Sequence, residues 1–108
     1  MNSVSLIGTL VEDPDLRENG DEPVRCTMRV AVPRRDHSGL QLPGVVYVDA
    51  AIFGLRARDC AERLHRGDRI GLTGRLEQDR SRSPNGQLVV ENAILVDQLD
   101  LLTKPTSA

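Results

Sequence analysis

Aromatic side chains are nearly absent from this 108-residue chain, which has one tyrosine, one phenylalanine and no tryptophan. Its core must therefore be built from aliphatic side chains. Cysteine and histidine are scarce as well. Cys26 and Cys60 stand far apart with no Cys-x-x-Cys spacing, and His37 and His65 are the only histidines, which argues against a metal centre and against a disulfide framework. Each cysteine reads as a small buried residue, Cys26 on the apolar face of a strand and Cys60 within a helix. No apolar run approaches the roughly 18 residues of a membrane span, and nothing at Met1 reads as a signal peptide. A cytoplasmic protein without membrane association is expected. Lysine is almost missing: Lys104 is the sole one, and the other cations are Arg.

A chain of this length makes one small domain with one core. Its hydrophobic content of 39% leaves oligomerisation as a source of further burial. The net charge of −2 argues superficially against a nucleic-acid partner. Its distribution reverses that. Residues 1–24 hold six acids against Arg17, residues 25–82 hold twelve Arg against seven acids, and residues 83–108 hold Lys104 against three acids. A basic middle lies between acidic ends.

Both aromatics fall in the run Val45 to Phe53. Val46, Val48, Ala50 and Ile52 make one unbroken apolar face, which predicts that they are buried, while Tyr47, Asp49, Ala51 and Phe53 make the other. A chain so short of large apolar groups would be expected to bury its rings. Setting them beside Asp49, opposite a complete aliphatic face, points to a flat partner such as a nucleobase. Aromatics in strands are usually core, and a bulge would turn both rings inward, so alternation alone leaves both placements open. The preceding strand shifts the balance. Val24, Cys26, Met28, Val30 and Val32 form its apolar face, with Arg25, Thr27 and Arg29 on the other. If the two strands pair, their outer face carries two guanidinium groups and two rings.

Five strands are predicted. The first is Ser3 to Leu10, with Val4, Leu6 and Leu10 on one face and Gly8 where the backbone bends or approaches another closely. An acidic connection, Asp13 to Asp21, leads to the second. Pro33 is expected to stop that ladder, and Arg34 to Gly44 reads as a flexible basic loop before the third. A helix follows at about Leu55 to His65, with Ala57, Cys60, Ala61 and Leu64 on one face and Gly67 placed to end it. The fourth strand, Arg69 to Glu77, points Ile70, Leu72 and Leu76 inward. Ser81 to Gly86 is a hairpin tip, and Leu88 to Leu95 returns as the fifth strand. Residues 103–108 read as a disordered tail after a domain spanning 1–102.

Three strands, a helix and two strands are the order of an OB-fold, a partly open five-stranded barrel. Such folds bind oligonucleotides on the strand 2–3 face and through the loops joining strands 1–2 and 4–5. Arg25, Arg29, Tyr47 and Phe53 lie on that face, and Arg80 and Arg82 lie at the second of those loops.

The motifs, in order, carry a family likeness over nearly the whole chain. Asn2-x-Val4-x-Leu6-Ile7-Gly8-x-Leu10, then Asp13-Pro14 and Leu16-Arg17, resembles the opening of bacterial single-stranded DNA-binding proteins. Val30-Ala31-Val32-x-Arg34, Tyr47-x-Asp49 with Phe53-Gly54, Ala61, Leu64, Arg66-Gly67-Asp68-Arg69, and Gly74-Arg75-Leu76 with Gly86 continue the likeness. The resemblance implies a homotetramer that wraps single-stranded DNA without strong sequence preference, stacking bases on Tyr47 and Phe53. It also marks departures. Ser81 stands where the family usually has a hairpin aromatic, and another family aromatic falls near Pro33. The Gly/Pro-rich linker with an acidic tip, which recruits replication and repair partners, is absent from the sequence. A short tail-less chain also resembles primosomal replication protein B, a dimeric relative.

Two readings follow. One is a single-stranded DNA-binding protein in which Arg25, Arg29, Arg34, Arg35, Arg56, Arg80 and Arg82 contact phosphates. The other is a primosome-type or plasmid-borne OB protein that acts mainly through protein contacts and binds DNA weakly. An enzyme is not expected. Gly71-Leu72-Thr73-Gly74 lacks the Lys and the spacing of a phosphate loop, and a solvated loop explains the paired acids at Asp13/Asp15 and Glu18/Asp21/Glu22.

Overall fold

Alternating apolar residues become strands over most of the chain. A computed structural model describes residues 1–105, in the order β1 (Val4–Leu10), β2 (Asp15–Arg17), β3 (Arg25–Arg35), β4 (Gln41–Phe53), α1 (Leu55–Arg63), β5 (Arg69–Arg82) and β6 (Leu88–Thr103). One sheet runs β1-β5-β6-β4-β3-β2. It curls until β1 also meets β3, at Thr9↔Ala31 and Leu10↔Val30. β4 and β6 pair in parallel at Ala50↔Ile94 and Ala51↔Leu95, while the other pairings are antiparallel. The all-β, OB-fold arrangement with a single short helix is as expected. The strand count differs: six strands form, because Asp15–Arg17 pairs with Thr27, Cys26 and Arg25. Three residues inside an acidic connection are too few to show a period.

Leu10, Cys26, Met28, Val30, Ala50, Ile52, Ile70, Leu72, Ile94 and Val96 fill the interior, closed by Ala57 and Cys60 of α1 and by Leu64 just past its end. Burial, then the neighbouring Cys60, pushes the Cys26 thiol up to about 11. Both cysteines are free and buried. At Gly8, β1 approaches β3 closely. A Cβ there would stand 2.5 Å from Val30 Cγ1 and 2.6 Å from the Ala31 carbonyl oxygen.

Several elements run further than expected. Val46 is 49% exposed rather than buried. Its partner on β3 is Val32, beyond the Thr9 and Leu10 positions where β1 covers that strand. Leu76 is 54% exposed for the same kind of reason. β1 accompanies β5 as far as Gly74, so past that point the inner face of β5 has no β1 beside it. Pro33 does not end β3. It sits opposite Val45 at an irregularity in the ladder, and the hairpin continues to Arg35↔Gln41. The expected flexible loop is thereby reduced to a tight turn, in which Asp36 Oδ1 accepts from the Ser38 amide, the Ser38 hydroxyl and the Leu40 amide.

β6 continues past Leu95 to Thr103, still paired with β5, and Asp97 is an extra residue in its ladder. Thr73 pairs with Gln98 and Gly74 with Val96. This bulge moves the inward positions from Ile94 and Val96 to Leu99 and Leu101, which disguises the alternation. The helix ends at Leu64 in extended backbone, and Gly67 (φ 91°) serves the following turn instead. Thr103 pairs with Arg69, so the strand reaches into the expected tail. Residues 106–108 of that tail lie outside the described residues.

Asp68 locks this turn and is 1% exposed. Its carboxylate accepts from the His65 amide at 2.9 Å and from Lys104 Nζ at 3.1 Å. Burial raises its pKa, but the His65 amide and the Lys104 ammonium outweigh burial and hold it below the ordinary carboxylate value. A depressed folded pKa means stability that is present above the unfolded value and lost as pH falls through the folded one. Asp68→Asn is expected to destabilise the fold by about 1–3 kcal/mol at neutral pH. In urea melts, the gap to wild type should close at acidic pH.

Candidate nucleic-acid interface

The β3–β4 ladder settles where the two rings lie. Val30 faces Val48 and Cys26 faces Ile52 on the inner side, so Arg25, Thr27, Arg29, Tyr47, Asp49 and Phe53 are turned outward. Tyr47 is 57% exposed and Phe53 42% exposed. Arg25 stands directly opposite Phe53, and Arg29 directly opposite Asp49. The Arg29 guanidinium carbon lies 5.2 Å from the Tyr47 ring centroid, so one tyrosine face already carries a cation. Its Nε is 3.9 Å from Asp49 Oδ1, and both side chains are more than half exposed. Four residues predicted from alternation thus form one strip, with a ring towards each end and two guanidiniums alongside.

The other predicted arginines are dispersed. Arg34 and Arg35 lie at the far end of β3, where Arg34 Nη1 donates to the Pro43 carbonyl (3.2 Å) and Arg35 Nη1 to the Gly39 carbonyl (3.0 Å). Arg56, on α1, donates through Nη1 to the Asp97 carbonyl and is tied to β6. Arg80 and Arg82 stand on the β5–β6 arm opposite Val90 and Leu88, and Arg82 Nη1 donates to the Gly86 carbonyl (3.0 Å). The structure does not gather these five into the strip.

Two recesses border Arg25 and Phe53. One is a groove of about 450 Å³ towards the β5–β6 arm, whose charged lining is Arg25 against Glu12, Asp49, Glu77 and Glu91. That lining disfavours a polyanion. The other lies towards β2, with Arg17 and Arg25 among its walls. Sequence alone does not place Arg17 beside Arg25, because nothing in Asp-Leu-Arg announces a strand. Among the described residues, no cluster of His, Cys, Asp and Glu could hold a metal ion. No described helix is long and apolar enough to cross a membrane.

The description "Single-strand binding protein family" matches residues 1–102. The chain belongs to that family. It is 26% identical over 102 residues to Single-stranded DNA-binding protein 1 of Lactococcus lactis, with 94% of this chain and 68% of that protein covered. It is 28% identical over 102 residues to the Single-stranded DNA-binding protein of Bacillus cereus, covering 94% of this chain and 60% of that one. Single-stranded DNA-binding protein 4 of Streptococcus agalactiae is 25% identical over 104 residues, with 96% and 75% covered. This member of the single-strand binding family therefore spans about three fifths to three quarters of the relatives it matches.

Proposed function

We infer that this chain binds single-stranded DNA, without strong sequence preference, along the outer face of β3 and β4. One observation carries the reading: the chain's two aromatic rings are both exposed on one sheet face, with Arg25 and Arg29 between and beside them. Bases stack on Phe53 and on the free face of Tyr47, while the guanidiniums take phosphates. The role is binding rather than catalysis, in the cytoplasm, during replication, recombination or repair. With two rings on the face, affinity rests heavily on phosphate contacts, each adding about −0.7 to the log–log salt slope for single strands. Titration of a dT oligonucleotide at rising salt is expected to show weak binding that is largely lost by physiological ionic strength. Tight binding that persists in high salt and survives loss of both rings would place the DNA elsewhere.

A homo-oligomer, tetramer before dimer, accompanies this reading. β1 meets β3 at Thr9 and Leu10 alone, so the rest of that edge is open to another strand. Beside it runs a shallow groove of about 960 Å³, lined by Leu6, Ile7, Val32, Pro33 and Val45 among others. A second copy seated there would cover Ile7 and Val45. Light scattering at micromolar concentration is expected to return a multiple of the chain mass, and a monomer mass would refute the assembly.

A further inference from the structure

Strand register sets three side chains from three strands in one row. Arg17 of β2 stands opposite Arg25 of β3, and Arg25 stands opposite Phe53 of β4. Here the face that carries Phe53 is three strands wide. The β2–β3 connection closes a recess of about 310 Å³ over the row, lined by Arg17, Arg25 and Phe53 with Asp15, Asn19 and Glu22.

Like charges directly opposite on paired strands repel, so the two guanidiniums gain from an anion between them. Arg17 Nε is offset by Asp15 Oδ2 at 2.9 Å, with side-chain exposures of 65% and 55%. Water screens such an exposed pair, which makes Asp15 readily exchanged for a phosphate. Among the described residues, Arg25 forms no ion pair. On the far side of Phe53, the groove with Glu12, Asp49, Glu77 and Glu91 repels a backbone phosphate. Of the two recesses that border the Arg25–Phe53 pair, the β2 side is the one suited to the sugar–phosphate chain.

We propose that this recess seats a phosphodiester between Arg17 and Arg25, next to the nucleotide whose base stacks on Phe53. The single strand then leaves the β3–β4 strip across β2, and Arg17 is a further DNA contact. This rests on the single-stranded DNA reading above. Guanidinium groups suit the role, since they present parallel donors to phosphate oxygens.

The test is fluorescence anisotropy of a labelled dT oligonucleotide with the whole chain, across a salt series. Arg17→Ala is expected to weaken binding about 5- to 10-fold at low salt and to shallow the slope by about 0.7. Arg63→Gln, on α1, removes the same charge away from the face and should stay within about twofold of wild type. Asp15→Asn frees Arg17 and should strengthen binding by about two- to threefold, an effect that loss of folding cannot mimic. If Phe53→Ala weakens binding while Arg17→Ala matches Arg63→Gln and Asp15→Asn changes nothing, the phosphate seat is wrong and the DNA reading stands. If wild type fails to bind the oligonucleotide at low salt, both fall.

Discussion

Phe53→Ala is expected to weaken binding of a dT oligonucleotide by about 1–3 kcal/mol, or roughly 5- to 150-fold, at every salt concentration. The salt slope should hardly move, because a ring neutralises no phosphate. Phe53 lies on the surface with Arg25 opposite, so removing its ring leaves the core untouched. Arg29→Ala should behave differently. If Arg29 takes a phosphate as proposed, its loss is expected to shallow the slope by about 0.7. The substitution also uncovers the Tyr47 face over which the guanidinium sits. Anisotropy across a salt series separates the two effects. Equal slopes for Arg29→Ala and wild type would show that Arg29 serves the tyrosine and not the DNA.

Gly8→Ala and Gly74→Ala are expected to be the most damaging single substitutions to stability, each costing about 3 kcal/mol. At Gly8 the new methyl meets the Ala31 backbone at 2.6 Å as well as Val30 Cγ1. At Gly74 it meets the Leu95 carbonyl oxygen, and backbone on a paired strand cannot swing aside as a side-chain end can. By contrast, nothing lies within 4 Å of a Cβ built at Gly86, which sits in a hairpin turn at φ 86°. Gly86→Ala therefore pays only the strain of positive φ. Urea melts of the three variants should rank Gly8 and Gly74 well below Gly86 in midpoint. A Gly86 variant as unstable as the others would mean that backbone strain, and not close packing, governs these sites.

How far the site was legible depends on what each residue needs to be recognised. Alternation in β3 and β4 was enough to turn Tyr47, Phe53, Arg25 and Arg29 to one face, because a strand puts successive side chains on opposite sides. Arg34, Arg35, Arg56, Arg80 and Arg82 could not be sorted that way. Their guanidiniums are held by carbonyls of Pro43, Gly39, Asp97 and Gly86 or project from a separate arm, and those partners are set by the turns and by α1. Arg17 lies in a stretch too short to show a period, and only the pairing of β2 with β3 sets it opposite Arg25.

The chain's own pattern was sufficient for five of the six strands and the helix in order, for the shared face of Ala57, Cys60 and Leu64, and for the side of the β3–β4 pair on which the two rings and two guanidiniums lie together. These follow from local period and side-chain size, which each segment carries with it. Tertiary structure alone decided where an apolar face stops being core. Val46 and Leu76 lie in phase with buried neighbours and are exposed because β1 does not reach them. It also decided that Lys104 closes on Asp68, and that an acidic groove lies beside Phe53. Burial and electrostatic environment belong to whichever strand arrives opposite, and that strand is chosen by the whole sheet.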